Sequence, residues 1–391
     1  MNRNLWLLIG VQILFMVGNM MFLTLAPVLG KDLAGNPSFA TLPLAISMLT
    51  MLVCSFPFSI WMGKIGRGPI FTAGIVCNAF AGLTFFFAIQ AQSFEMFLAG
   101  SVLFGIAIAS ANFYRFAAME LVPSSQQSLA ISALMASGVV AAIIGPNLGA
   151  LTKDVFFDLS FSTSALAYLP ISITALVLVL FIQWPKSTLK KEHSKQPINY
   201  ENGLWQAILT AAVAYGVMVL IMSATPLHMS HQHYAFSDTA WVIQWHVIGM
   251  FAPSFFVNKL IDRLGLHGLI IAGITVLISS LAVNLLATNR FLLTLGLLLL
   301  GIGWNFAFLG ASQWLMKLSM QQNASKIQGI NEVIVFGFAS LATFSSGWLI
   351  NVFGWHTLNM AAFPILLLLL IVIITTQIRS NNHGEQSTAK G

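Results

Sequence analysis

Charge is what this sequence has least of. Only 7% of its residues are Asp, Glu, Lys or Arg, against about a quarter in soluble domains, while 58% are hydrophobic. That balance excludes an ordinary soluble domain and leaves a chain that crosses a bilayer many times. Acid is scarcer than base, 11 against 17, yet the bases stand singly between apolar runs rather than on a polar face. The net charge of +6 therefore orients the chain in a membrane, and nucleic-acid binding is excluded. Cysteine is nearly absent, and Cys54 and Cys77 both fall inside apolar runs, without paired spacing or metal-ligand spacing. No nucleophile stands at usable spacing from a base, and GKIGRG follows an apolar run rather than a strand, so no enzyme, cofactor or metal is expected. No polar stretch is long enough for a soluble domain.

What is present is a series of apolar runs of about twenty residues, each long enough to span a bilayer. They predict an all-α membrane protein of twelve transmembrane helices at 5–29, 41–62, 69–90, 96–119, 128–150, 164–184, 204–227, 239–260, 267–287, 291–316, 327–351 and 355–378. The first run is too long for a signal sequence and no small-residue cleavage site follows it, so it counts as a span. Pro185 to Gly203 is the longest polar interruption. It divides the chain into a bundle of six helices (1–184), a cytoplasmic linker (185–203), a second bundle of six (204–378) and a cytoplasmic tail (379–391).

With the amino terminus inside, only Lys31, Lys153 and Arg290 face outward, and the other fourteen bases lie at the cytoplasmic side. This positive-inside bias puts both termini in the cytoplasm of a bacterial-type inner membrane. Trp6, Trp61, Trp184 and Trp205 fall at inner helix ends and Trp241 and Trp355 at outer ends, as interfacial anchors do.

Two basic, glycine-broken turns organise the chain: GKIGRGP at Gly63 to Pro69, and KLIDRLGLHG at Lys259 to Gly268. Gly66 and Gly265 stand 199 apart, while LFGI at Leu103 and LLGI at Leu299 stand 196 apart. Similar offsets at two places predict a parallel internal repeat.

These turns resemble the GxLaDRxGRR turn of the major facilitator superfamily, and the resemblance covers essentially the whole chain. Lys64, Gly66 and Arg67 match in the first copy, with Gly63 where the family has aspartate; Asp262, Arg263 and Gly265 match in the second. The resemblance implies two six-helix bundles rocking about a midplane site. It also implies gating roles for these turn residues, with Glu120 and Glu332 as partners available to Arg67. Gly145, Pro146 and Gly149 in GPNLGA look like the family's helix 5 motif, usually associated with exporters, although its upstream glycines are Ala or Ser here. ELVPSSQQ (Glu120 to Gln127) resembles the turn after helix 4, with Gln127 replacing the usual arginine.

The resemblance implies that helices 1, 4, 7 and 10 line the cavity, so polar residues there are the candidates for solute contact. Asn112 and Arg115 are three apart on one face of helix 4. Arg115 lies eight residues before Pro123, about 12 Å from the helix end, so it needs a partner, water or an anionic solute. Snorkelling to the surface and pairing with Glu332 are the structural alternatives. Helix 1 offers Gln12 and Asn19, helix 7 offers Tyr215 and Met218, and helix 10 offers Trp304, Asn305 and Gln313. Amides and rings suit a neutral or anionic ring-bearing solute, and they serve equally as packing between helices.

None of the eleven acids falls at the centre of a predicted span. His246 in helix 8 is thus the candidate for proton coupling, with a satisfied core histidine as its alternative and His228, Asp32 and Glu120 behind it, and simple facilitated diffusion stays open. His228, His231 and His233 in HMSHQH read as a solvated outer loop rather than a metal site, since one loop fixes no geometry. The chain is read as a secondary transporter of a small organic solute, working as a monomer in the bilayer, proton-coupled and leaning to export. The alternatives are an importer of a metabolite, vitamin or metal chelate, or a receptor that has lost transport.

Overall fold

The computed structural model describes residues 2–123, 126–184, 203–319 and 324–388. The expected linker, apart from Gly203, the end of the tail and part of the ELVPSSQQ turn lie outside the described residues. Among the described residues there is no strand. The helices are α1 (Arg3–Leu33), α2 (Leu42–Ile65), α3 (Arg67–Gln90), α4 (Phe94–Ala111), α5 (Tyr114–Glu120), α6 (Gln127–Leu151), α7 (Ser162–Leu166), α8 (Tyr168–Leu180), α9 (Leu204–His231), α10 (Phe236–Phe251), α11 (Val257–Leu285), α12 (Arg290–Ser319) and α13 (Ala324–Thr388). Nine helices among the described residues are long and apolar enough to cross a bilayer.

One of these nine, Ile327–Gln377, has 51 residues. At about 1.5 Å per residue it far exceeds a hydrocarbon core of about 30 Å, and it is broken at Gly354 (φ 77°, ψ 173°). Gly66 (φ 90°, ψ 171°) and Gly265 (φ 71°, ψ 173°) take the same conformation in the two basic turns. Only glycine enters this region readily. The repeat legible in the sequence thus recurs as one backbone geometry, and a third copy of it, at Gly354, lacks the basic residues that mark the other two.

One expected boundary is corrected. The span expected over 239–260 stops at Phe251, where Pro253 sits in a 3-10 turn (Ala252–Phe255) before α11. The span expected over 96–119 is present as Phe94–Glu120, with a break inside it at Asn112 and Phe113 that separates α4 from α5.

The first half packs around aromatic rings, with Phe22 and Tyr168 each meeting both Phe85 and Phe104 and the Tyr168 hydroxyl donating to the Gly18 carbonyl at 2.8 Å. In the second half, α9 is largely enclosed and packs on α12 and α13. Large apolar side chains such as Phe56, Leu341 and Leu368 are exposed, as a lipid-facing surface requires. Trp6, Trp61, Trp205 and Trp241 are exposed too. Trp355, expected as an outer anchor, is instead buried; its indole N–H donates to the Asn284 carbonyl at 3.1 Å and its ring stacks on His228 at 4.5 Å.

Candidate functional site

A cavity of about 220 Å³ opens between the two halves. The first half contributes Gln12 and Met16 of α1, Ser55 of α2, Leu134 of α6, and Ala111, Asn112, Phe113, Arg115 and Phe116 around the α4–α5 junction. The second contributes Phe251 of α10 with Glu332 and Phe336 of α13. The break at Asn112 matters for this wall. At 3.6 residues per turn an unbroken helix would wind Ala111 to Phe116 through more than a full turn, and the bend lets five of these six residues share one surface.

Arg115 reaches Glu332 of the opposite half at 3.4 Å and lies over the Phe116 ring at 4.8 Å. Both charged side chains are about half exposed, so the pair contributes only ~0–1 kcal/mol. Ser55 is satisfied, donating to the Met51 carbonyl at 2.7 Å. Gln12 is not: its Oε1 is buried without a donor, which costs about 1–3 kcal/mol if nothing else supplies one.

Of the expected contact residues, Asn112 and Arg115 come together at this cavity, and Asn19, Trp304, Asn305 and Gln313 do not line it. Asn305 is buried and donates to the Met250 carbonyl at 2.6 Å and to Ser254 Oγ at 2.7 Å, tying α12 to the turn after α10. Trp304 stacks on Phe308 at 5.1 Å and meets the edge of Tyr215, which in turn meets Phe336. Trp304 therefore backs the cavity wall through Tyr215. Asn19 and Gln313 are half-buried on α1 and α12. Sequence reasoning missed the four phenylalanines, which look like core, and the place of Glu332 in the wall.

The turn residues separate by half. Arg67 donates to both carboxylate oxygens of Glu120, at 2.5 and 2.6 Å, while Glu332 goes to Arg115. Lys64 stands in the last turn of α2. Asp262 and Arg263 are exposed beside Gly265, and among the described residues neither makes an ion pair. Gly145 lets α6 approach α1, since a Cβ there would lie 2.7 Å from the Val17 carbonyl oxygen; Gly149 continues that face against Met21 and Leu25, and Pro146 lies inside the same helix.

His246 is fully buried, with Nδ1 2.8 Å from the Leu297 carbonyl oxygen, and does not line the cavity. The expected histidine loop is corrected. His228 and His231 belong to α9, which runs on past Pro226 and ends at His231; just beyond it His233 takes φ 59°, and the backbone N–H groups of His233 and Tyr234 donate to the Ser230 and Met229 carbonyls. Among the described residues no group of three His, Cys, Asp or Glu is placed to hold a metal.

At the end away from the Arg67 turn, the halves meet directly. Lys31 donates to Ser230 Oγ (3.2 Å), Gly347 N–H to Thr41 Oγ1 (3.0 Å), Asn351 to Ser38 Oγ (3.0 Å) and Asn147 to Gln244 Oε1 (2.5 Å). Phe161 packs on Phe236 there. A helical membrane protein whose halves close at one end around a cavity nearer the other is built as a solute carrier.

Comparison with known proteins agrees. A family model described as Major Facilitator Superfamily matches residues 8–234. The riboflavin transporter RfnT of Brucella anthropi is 31% identical over 373 residues, 93% of each chain. An uncharacterized MFS-type transporter of Bacillus subtilis, YddS, is 25% identical over 85% of this chain and 81% of its own. Among solved structures, a point mutant of the nucleoside transporter NupG superposes with a TM-score of 0.72 at 13% identity, covering 95% of this chain and 99% of that one. A bacterial homologue of the iron transporter ferroportin in its inward-facing state gives 0.72 at 15%, covering 96% and 98%. The chain belongs to the major facilitator superfamily and is a membrane transporter rather than an enzyme.

Proposed function

We propose that this chain carries a riboflavin-like vitamin into the cell by alternating access. The observation that carries the transport reading is the cavity, because residues of both halves build its wall and a rocking motion of the halves would open it to either side. The name of the RfnT relative supports the class of solute, and the rings and amides of the wall suit a planar heteroaromatic. This favours the importer alternative over the lean to export drawn from Gly145, Pro146 and Gly149.

The proposal includes the finer architecture. Two six-helix bundles, 1–184 and 204–378, are joined by the linker 185–203 and followed by the tail 379–391. Nine apolar spans support a count of twelve when the longest is divided at Gly354 and α6 and α10 are added. The positive-inside bias supports an inner-membrane monomer with cytoplasmic termini, and in that orientation the closed end is the outer one. Asn112 and Arg115 contact the solute, with Trp304 as support and Asn19, Asn305 and Gln313 as residues of the wider pathway. Lys64, Gly66, Arg67, Glu120, Asp262, Arg263 and Gly265 form the cytoplasmic gate. Transport is proton-linked, and Glu332, the acid in the cavity wall, is the coupling group ahead of His246.

The test is riboflavin flux into proteoliposomes of known protein orientation, with and without an imposed proton gradient. Saturable inward flux raised by an acidic exterior is the expected result. Flux only in the export direction, or none for any flavin, would overturn the proposal.

A further inference from the structure

We infer that Gln12 is the specificity-determining residue of this cavity and reads the imide edge of a planar heterocycle, an N–H flanked by two carbonyls. The inference rests on the flavin reading above. Of the polar side chains in the wall, Arg115 and Glu332 are paired with each other at its half-exposed edge and Ser55 is spent on its own helix. Gln12 keeps a carbonyl oxygen with no donor, closed over until its side chain turns toward a solute, and the Asn112 side chain makes no hydrogen bond among the described residues. The cavity wall thus carries two primary amides free for a solute, the accessible Asn112 and Gln12 with its unpaired oxygen.

A primary amide presents an N–H donor and a carbonyl acceptor side by side in one plane. An imide presents the complementary set, so one amide makes two parallel hydrogen bonds to it and a second amide takes the remaining carbonyl. Neither partner is charged, so no ion is desolvated. Phe113, Phe251 and Phe336 supply ring faces and edges for the flat surface of such a solute. At about 220 Å³ the space is smaller than the ~300–1,000 Å³ of most small-molecule pockets. It takes a planar head edge-on and leaves a polar substituent toward the mouth, where Arg115 and Glu332 stand. The pyrimidine edge of a flavin carries this imide, and so does uracil.

The experiment measures binding to the full chain in detergent, by flavin fluorescence quenching for riboflavin and N3-methylriboflavin and by calorimetry for uridine. N3-methylation removes the imide hydrogen without touching the protein, so it does not depend on a variant that folds. Riboflavin is expected to bind at least about tenfold more tightly than its N3-methyl form, as loss of a hydrogen bond in a desolvated site requires. In Gln12→Leu this preference is expected to vanish. Equal binding of the two flavins by the wild type would overturn the role of Gln12 and leave flavin transport standing. Binding of uridine but not riboflavin would keep imide recognition and overturn the flavin reading. Absence of binding by all three probes would overturn both.

Discussion

Arg115 and Glu332 lie 217 residues apart in sequence and 3.4 Å apart across the mouth of the cavity. One stands on each half, so any rocking that widens this end must part them. A buried ion pair would resist such a motion, but this one is half exposed and costs only ~0–1 kcal/mol to break. Its weakness suits a contact made and lost in every cycle.

Neutralising Glu332 tests whether the pair also carries the proton. Glu332→Gln is expected to abolish accumulation of riboflavin driven by a proton gradient while leaving riboflavin exchange at near wild-type rate. Arg115→Gln is expected to weaken binding by about threefold to tenfold, the loss of one exposed charge contact. Normal gradient-driven accumulation in Glu332→Gln would remove it from coupling.

The two basic turns predict a kinetic effect rather than a binding effect. Asp262 is exposed and unpaired among the described residues, so it adds nothing to the cavity in this conformation. Asp262→Asn is expected to leave riboflavin affinity unchanged and to slow net flux by about tenfold, equivalent to ~1.4 kcal/mol on the gating step. Wild-type flux in this variant would count against a gate at the second turn.

The sequence made the membrane character, the repeat and the basic turns legible because each rests on local composition or on a glycine that no other residue replaces easily. Asn112 and Arg115 were legible for a related reason: polar groups are rare in apolar spans. What could not be read was which rare polar residue faces the cavity and which faces a neighbouring helix. Asn305 looks like Asn112 in sequence, yet its amide is consumed by Met250 and Ser254. Phe251 and Phe336 look like core and line the cavity. Such differences depend on helix rotation and on breaks such as the one at Asn112, which tertiary packing sets.

His246 illustrates the same ambiguity and gives a third prediction. Its ring is enclosed, holds the Leu297 carbonyl and does not line the cavity. His246→Gln keeps a donor for that carbonyl and is expected to retain proton-driven accumulation. His246→Leu is expected to lose ~1 kcal/mol of stability by thermal denaturation, the scale of one interhelical hydrogen bond. Loss of coupling in a well-expressed His246→Gln protein would return the proton role to this residue.

The closed end of the molecule offers the sharpest test of alternating access. Gly347 of α13 lies against Thr41 so closely that a Cβ there would fall 2.7 Å from Thr41 Oγ1 and 3.1 Å from the Ser38 carbonyl oxygen. Both atoms belong to segments of the opposite half, and Thr41 is fully buried, so neither can give way without parting the halves. Gly347→Leu is therefore expected to hold this end open and reduce flux at least about tenfold, a block of ~1.4 kcal/mol or more on closure. Riboflavin binding should persist, because the cavity wall lies toward the other end. Asn351→Ala removes only an exposed hydrogen bond to Ser38 and should transport nearly as well as the wild type. If Gly347→Leu transports normally while folding and binding are intact, the halves do not need to meet at this contact, and closure must be sought instead at Lys31 and Ser230.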